Sequence, residues 1–259
     1  MTDLNAIIAI AYRDFIKLLR DPVRLVSSLV LPLLFIGILG GSLQANMGRA
    51  VGYNLLVFTF TGILAQTLFQ STALGVISLI EDRENDFSQE IFVSPISRYS
   101  IVFGKILGES LVALPQGGAI VLFGLVVGVP FTGENVLLLV PVAIAVCLLG
   151  GAFGVILMAN LGSQRSANQI FPFLMLPQFF LAGIFTPIRI LPVYLEVLSR
   201  ISPLRYGVDL TRAVFYAGTS DYEKVVLAGV GFNSAVLAGL FAVFLTAGTV
   251  LFVRSERNR

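Results

Sequence analysis

The sequence predicts an all-α integral membrane protein. Six transmembrane helices are expected, with an amphipathic interfacial helix before the first, a cytoplasmic helix after the second and short external re-entrant half-helices before the last. Three observations predict this. Of 259 residues, 56% are hydrophobic and only 12% charged, whereas a soluble domain carries about 25% charged residues. Apolar runs of spanning length, about 20 residues per crossing, recur along the chain. Lys and Arg gather in alternate loops, as the positive-inside bias requires. No polar stretch is long enough to fold alone, so residues 1–259 read as a single membrane domain.

The first element is expected over 1–24. Leu4, Ile7, Ile8, Ala11, Phe15, Leu18 and Leu19 recur at helical spacing, and Arg13, Lys17, Arg20 and Arg24 follow one another at i, i+4, i+7 and i+11. Such a basic amphipathic helix suits the inner membrane interface. A helix packed against other cytoplasmic protein would carry the same pattern. Asp21-Pro22 breaks it before the first crossing. The charged lead is too long and too acidic for a signal peptide, and the apolar run after it is too long, so an uncleaved first span is expected.

The crossings are expected at 25–43, 54–80, 101–128, 136–160, 168–186 and 228–253. With the N-terminus inside, the inner face holds Arg13, Lys17, Arg20, Arg24, Arg83, Arg98, Lys105, Arg165, Arg254, Arg257 and Arg259. The outer face holds Arg49 and, in the long connection before the last span, Arg189, Arg200, Arg205, Arg212 and Lys224. Both termini are therefore expected in the cytoplasm. The long connection, over 187–217, is amphipathic and broken by Pro187, Pro192 and Pro203. Irregular backbone at membrane depth needs cover from protein or a water-filled cavity. Half-helices dipping in from outside and a helix lying on the surface both fit. Asp209 is expected to pair with Arg205 and Arg212, three or four residues away.

Residues 81–98, EDRENDFSQEIFVSPISR, are the most charged stretch and face the cytoplasm. Asp86 and Gln89 have the spacing of a capping box, Glu84 and Asp86 suit a helix N-terminus, and Pro95 stops the helix. About two turns result, with Phe87 and Ile91 sharing a face. An apolar knob within an acidic rim fits a socket on another protein. A helix laid back on lipid would present the same apolar residues, although anionic inner leaflets disfavour the rim.

EDRENDFSQEIFVSPISRYSIVFGKILGESLVAL resembles the region after the second span in ABC-2 type ABC transporter permeases, membrane subunits of ABC exporters. The matching residues are Glu81, Arg83, Glu84, Ser94, Pro95, Ser97, Arg98, Gly104 and Lys105. AGIFTPIRILPVYLEVLSRISPLRYGVDLTRAVFYAG resembles the same family's late motif at Phe185, Pro187, Leu191, Pro192, Ser202, Pro203, Leu204, Tyr206 and Arg212. The amphipathic N-terminal helix is a third match, while Asn85-Asp86-Phe87 departs from a Lys/Gly/Thr-type run. The resemblance covers essentially the whole chain. It implies a six-span subunit that dimerises with a second copy or a paralogue and docks two cytoplasmic ATPase subunits. It makes 81–98 the coupling helix, with Glu84, Asp86, Phe87, Glu90, Ile91 and Phe92 in the ATPase cleft. Residence in the inner cell membrane and export of an amphipathic or lipophilic drug, lipid or glycolipid follow from it. The implied partners are the ATPase, the second permease and membrane lipid, without nucleic acid.

The chemistry the sequence excludes agrees with this. There is no His, Cys147 is the only Cys, and no P-loop spacing occurs around Gly104-Lys105. Disulfides, zinc sites and thiol–imidazole catalysis are excluded within one chain, as is P-loop binding of ATP, and no metal is expected. The chain is therefore expected to be no enzyme by itself and to carry no cofactor, ATP and Mg being held by the partner. A self-sufficient secondary transporter or channel would need ionisable residues deep in its spans, and none sits at a span centre. Thr59, Gln66 and Gln70 form one stripe of the second span, and Gln178 lies in the fifth. These four either line a translocation path or bond to neighbouring helices. Lys105 and Glu109 are expected to pair. Gly37–Gly41, Gly124–Gly128 and Gly150–Gly154 suit close helix packing, within the chain or across a dimer.

Overall fold

The computed structural model describes residues 3–80, 97–161 and 163–257, and every regular element among them is helical. α1 covers Asp3–Arg20 and α2 covers Pro22–Leu34, with the expected break at Asp21. A π-helical segment, Phe35–Gly40, joins α2 to α3, Gly41–Val51. α4 covers Leu55–Ile77, α5 Arg98–Val126, α6 Gly133–Asn160 and α7 Gln164–Leu181. After a 3-10 turn at Ile188–Ile190 come the short helices α8, Val193–Ser199, α9, Pro203–Phe215, and α10, Tyr222–Val225. α11, Val230–Arg257, is last.

The boundaries follow from local chemistry. Gly52 takes the left-handed conformation (φ 78°) that stops α3. Asn54 then starts α4 by accepting from the backbone N–H groups of Leu56 and Val57. Thr132 and Asn135 form a reciprocal capping box at the head of α6. Ser97 and Ser163 cap α5 and α7.

Among the described residues, five helical stretches are long and apolar enough to cross a membrane: Leu25–Val51, Leu55–Ile77, Tyr99–Val126, Gly133–Asn160 and Tyr222–Arg254. The first runs past the expected 43, because nothing stops the helix before Gly52. The crossing expected at 168–186 falls on α7, which starts on the polar Gln164–Gln169 and contains Pro172 and Pro177. It is not among the five.

α4 is the hub. In its most apolar window 83% of residues are buried, against 17% for the first span and 22% for the last. α5, α6 and α9 pack around it, and α11 packs on α6. Gly150 and Gly154 bring α6 against α4 within the chain, since a Cβ on Gly154 would stand 2.6 Å from the Ala73 carbonyl oxygen. In α1, Ala6, Ala11, Asp14 and Leu18 are buried, and the helix packs along α5. Leu4, Ile8, Tyr12 and Leu19 stay exposed. α9, in the stretch expected to form half-helices, is buried along most of its length against protein.

Candidate functional site

Amide and hydroxyl side chains inside a span must be satisfied by protein, water or cargo. A cleft of about 310 Å³ lies between the first span, α4, α5 and α7. Gln66, Thr67, Gln70 and Ser71 reach it from α4, Ser27 and Ser28 from α2, and Gln116 from α5. Its apolar wall is Leu31, Pro32, Phe35, Leu74 and Phe179. The cleft lies along Ser27–Phe35 and Gln66–Leu74, the halves of these spans nearest α1. Gln66 donates from Nε2 to Gln70 Oε1. Thr67 is buried, and its Oγ1 has no hydrogen-bond partner among the described residues. At the other end Phe35 meets Phe179 and Phe185 edge-on, at 6.2 and 5.6 Å between ring centroids, and those two rings stack.

Of the expected path residues, Gln66 and Gln70 face the cleft together and the other two do not. Thr59 is fully buried against Gly40 of the first span. Gln178 ties α7 to the start of α9, donating to the Leu174 carbonyl and accepting from Ser202 Oγ. Gln116, Thr67 and the three serines were not singled out by the sequence. Each is an uncharged polar residue in an otherwise apolar run, and only the packing brings them to one space.

Below the cleft, toward α1, sits a buried ionic cluster. Lys105 Nζ lies 2.8 Å from Glu109 Oε1 and 3.0 Å from Asp14 Oδ2. Arg13 Nη2 lies 2.9 Å from Asp14 Oδ1. Two cations thus face two carboxylates. The expected Lys105–Glu109 pair is present, but Asp14 completes it. Its sequence signal is an acid placed three residues after Ala11 and four before Leu18, on the buried stripe of α1. Glycines make the room. A Cβ on Gly104 would meet Ile7 Cα at 3.1 Å, one on Gly108 would meet Ala11 Cα at 3.0 Å, and one on Gly75 would enter the Glu109 carboxylate. The cluster therefore ties α1, α5 and α4. Of the α1 cations, Arg13 belongs to it, Lys17 borders it and Arg20 is exposed. The side chain of Arg24 lies outside the described residues, as do Glu84, Asp86, Phe87, Glu90, Ile91 and Phe92.

At the opposite end of α4 the expected Asp209–Arg205–Arg212 pairing is replaced by something else. Asp209 accepts from the N–H groups of Leu227 and Ala228 and from Asn233 Nδ2, all at 2.8 Å, and so anchors the start of α11. Arg205 donates to Ser199 Oγ. Arg212 donates to the carbonyls of Phe58, at 3.2 Å, and Gly183, at 2.8 Å, with its guanidinium 3.5 Å over the Phe58 ring. Backbone groups on distant segments out-compete the local partners because each buried carboxylate or guanidinium needs several partners at once. Burial pushes the Arg212 guanidinium down to about 10, so it stays charged at neutral pH. Burial also raises the phenols of Tyr53 and Tyr216, which stay neutral beside it.

The model of the ABC-2 type transporter family matches residues 5–216, from α1 to just past α9. The chain belongs to the ABC-2 type transporter family. Transport permease ycf38 of Cyanophora paradoxa is 27% identical over 216 residues, 82% of this chain and 74% of that protein. A protein of Escherichia coli K12 named probable multidrug ABC transporter permease YbhR is 28% identical over 156 residues, 58% of this chain and 42% of its own length. Inner membrane transport permease YhhJ of the same strain is 26% identical over 165 residues, 61% of this chain and 44% of its own. Less than half of either E. coli protein is therefore matched. The chain is an ABC-2 transport permease, a multi-pass membrane protein whose cleft, ionic cluster and Arg212 seat all fall within the matched range.

Proposed function

We propose that this permease is the membrane-spanning subunit of an ATP-driven exporter, with α7 as a sixth crossing beside the five long apolar helices. It would sit in the inner cell membrane with both termini in the cytoplasm, residues 187–217 on the outer side, and pair with a second permease. A separate ATPase subunit would hold ATP and Mg, and the 81–98 segment would dock into it as the coupling helix. The observation that carries the reading is the polar cleft within apolar spans. A chain needing only to anchor itself has no use for seven hydroxyl- and amide-bearing side chains around one space. Its cargo would be amphipathic or lipophilic. Closure of the ATPase dimer would move 81–98, and the ionic cluster would carry that movement to α1, α4 and α5 together, because a neutral, buried, multiply bonded cluster moves as a unit.

The test is co-purification of the permease with the ATPase encoded beside it, wild type against Phe87→Asp with Ile91→Asp. Loss of the ATPase from the double mutant alone supports docking through 81–98. Equal recovery from both rejects that segment, and no recovery from either rejects the ATP-driven reading.

A further inference from the structure

We infer that the cleft selects uncharged amphiphiles with a hydroxyl- or amide-rich head, and excludes cationic and anionic ones of the same size. The inference rests on the reading of the cleft as the cargo path and names the class of cargo. Its ground is the chemistry of the wall. Gln66 and Gln70 bond to each other and keep the Gln66 carbonyl oxygen and the Gln70 amide N–H groups, Gln116 adds an amide, Ser71 adds a hydroxyl, and Ser28, which donates to the Leu25 carbonyl, can still accept. Among the described residues lining the cleft, none is ionisable.

A neutral polyol or glycosyl head gives up hydrogen bonds to water and finds both donors and acceptors here. Such a head exchanges its bonds to water for bonds to the amides of Gln66, Gln70 and Gln116, so its hydroxyls stay satisfied. An ammonium or phosphate head also loses its hydration, yet meets amide dipoles and no counter-charge. The ionic groups nearest in the fold, Lys105, Glu109 and Asp14, are already paired with one another and with Arg13. The volume agrees with the low end of small-molecule sites, about 300 Å³, which holds a head group and the start of a tail. Leu31, Phe35, Leu74 and Phe179 supply the apolar surface for that tail. Leu31 is 62% exposed, so the chain of an amphiphile can leave sideways toward lipid while its head stays in the cleft.

The test uses the full chain in lipid nanodiscs with three photoreactive probes that share one diazirine-bearing octyl chain. Their heads are glucoside, trimethylammonium and sulfate. Labelled residues are mapped by mass spectrometry against probe concentration. Saturable labelling of cleft residues by the glucoside is expected, weakened roughly fivefold by Gln70→Ala. The charged probes should require concentrations higher by on the order of a hundredfold. Gln70→Glu should invert the preference in favour of trimethylammonium. If a charged probe saturates the wild-type cleft as readily as the glucoside, the cargo class is wrong while the path stands. If no probe labels the cleft, the path reading falls and the inference with it.

Discussion

Lys105 and Arg212 are both buried cations set against α4, one near each end, and they are held by opposite means. Lys105 sits between two carboxylates, with Arg13 completing a neutral set. Arg212 forms no ion pair among the described residues and rests on carbonyl oxygens and the face of Phe58. A glycine of α4 makes room at each end, Gly75 for Glu109, the partner of Lys105, and Gly62 for Arg212 itself. The difference lies in what each leaves behind when removed. At the Lys105 end, loss of the cation strands Glu109 in a buried space and leaves Asp14 to Arg13. At the Arg212 end it strands only carbonyl dipoles, some of which are already engaged by the helix.

The comparison is most exposed to Lys105→Met. Breaking a buried pair on one side costs about 3–5 kcal/mol, and here the two carboxylates would also repel. Cys147 gives the readout, being the only Cys in the chain and fully buried. Its reaction with a thiol dye on heating should shift to much lower temperature in detergent-solubilised protein. Adding Asp14→Leu and Glu109→Met to the same variant should recover most of the loss, because an apolar set of similar volume replaces the three buried ions, and Arg13, 24% exposed, keeps access to solvent without Asp14. If the triple variant is as unstable as the single, the charges themselves hold the Lys105 end.

Arg212→Met should cost less, about 2 kcal/mol by the same readout, the value of hydrogen bonds to a charged group. A larger loss than that of Lys105→Met would reverse the ranking and show that the dipole-held cation is the more tightly integrated. Gly62→Ala should cost about 1 kcal/mol, since its Cβ would come within 3.0 Å of Ile184 Cα and 3.2 Å of Arg212. Crowding that seat should loosen the 183–184 backbone before it unfolds α4.

The smallest effect belongs to an exposed ion pair, Glu196 with Arg200 at 2.7 Å. The hydrogen bond from Arg200 lowers the Glu196 carboxyl below its usual value. A depressed carboxylate stabilises above the ordinary carboxylate range and loses that contribution as pH falls through its folded value. Exposure and salt screen this pair, so Glu196→Gln should leave the melting midpoint unchanged at pH 7 and at pH 5. A clear shift would mean that exposed pairs matter here as buried ones do.

These two ends were unequally legible in the sequence. Lys105 and Glu109 stand at i, i+4, a spacing any helix brings together, whereas Asp14 is far off in the chain and depends on α1 docking along Gly104 and Gly108. The same local rule misleads at the Arg212 end. Asp209 and Arg212 have pairing distance, but each is taken by backbone groups of remote segments, and backbone donors and acceptors carry no residue signature. The helical class, the break at Asp21 and the stripe of Gln66 and Gln70 followed from composition and period. The crossing expected at 168–186 is not among the five long apolar helices, because Pro172, Pro177 and the polar start of α7 weaken an apolar signal that rests on length.

The π-helical segment at Phe35–Gly40 has a practical consequence for anyone who maps the first span by substitution. A π turn accommodates an additional residue, and one residue advances an α-helical wheel by about 100°. A wheel drawn straight through from Leu25 would therefore place every position beyond Gly40 on the wrong side. Pro32, Ile36 and Gly40, at steps of four, are all buried, and they mark the true seam. Scanning data from this span need a fresh angular origin after residue 40, or side chains turned toward lipid will be scored as lining the cleft.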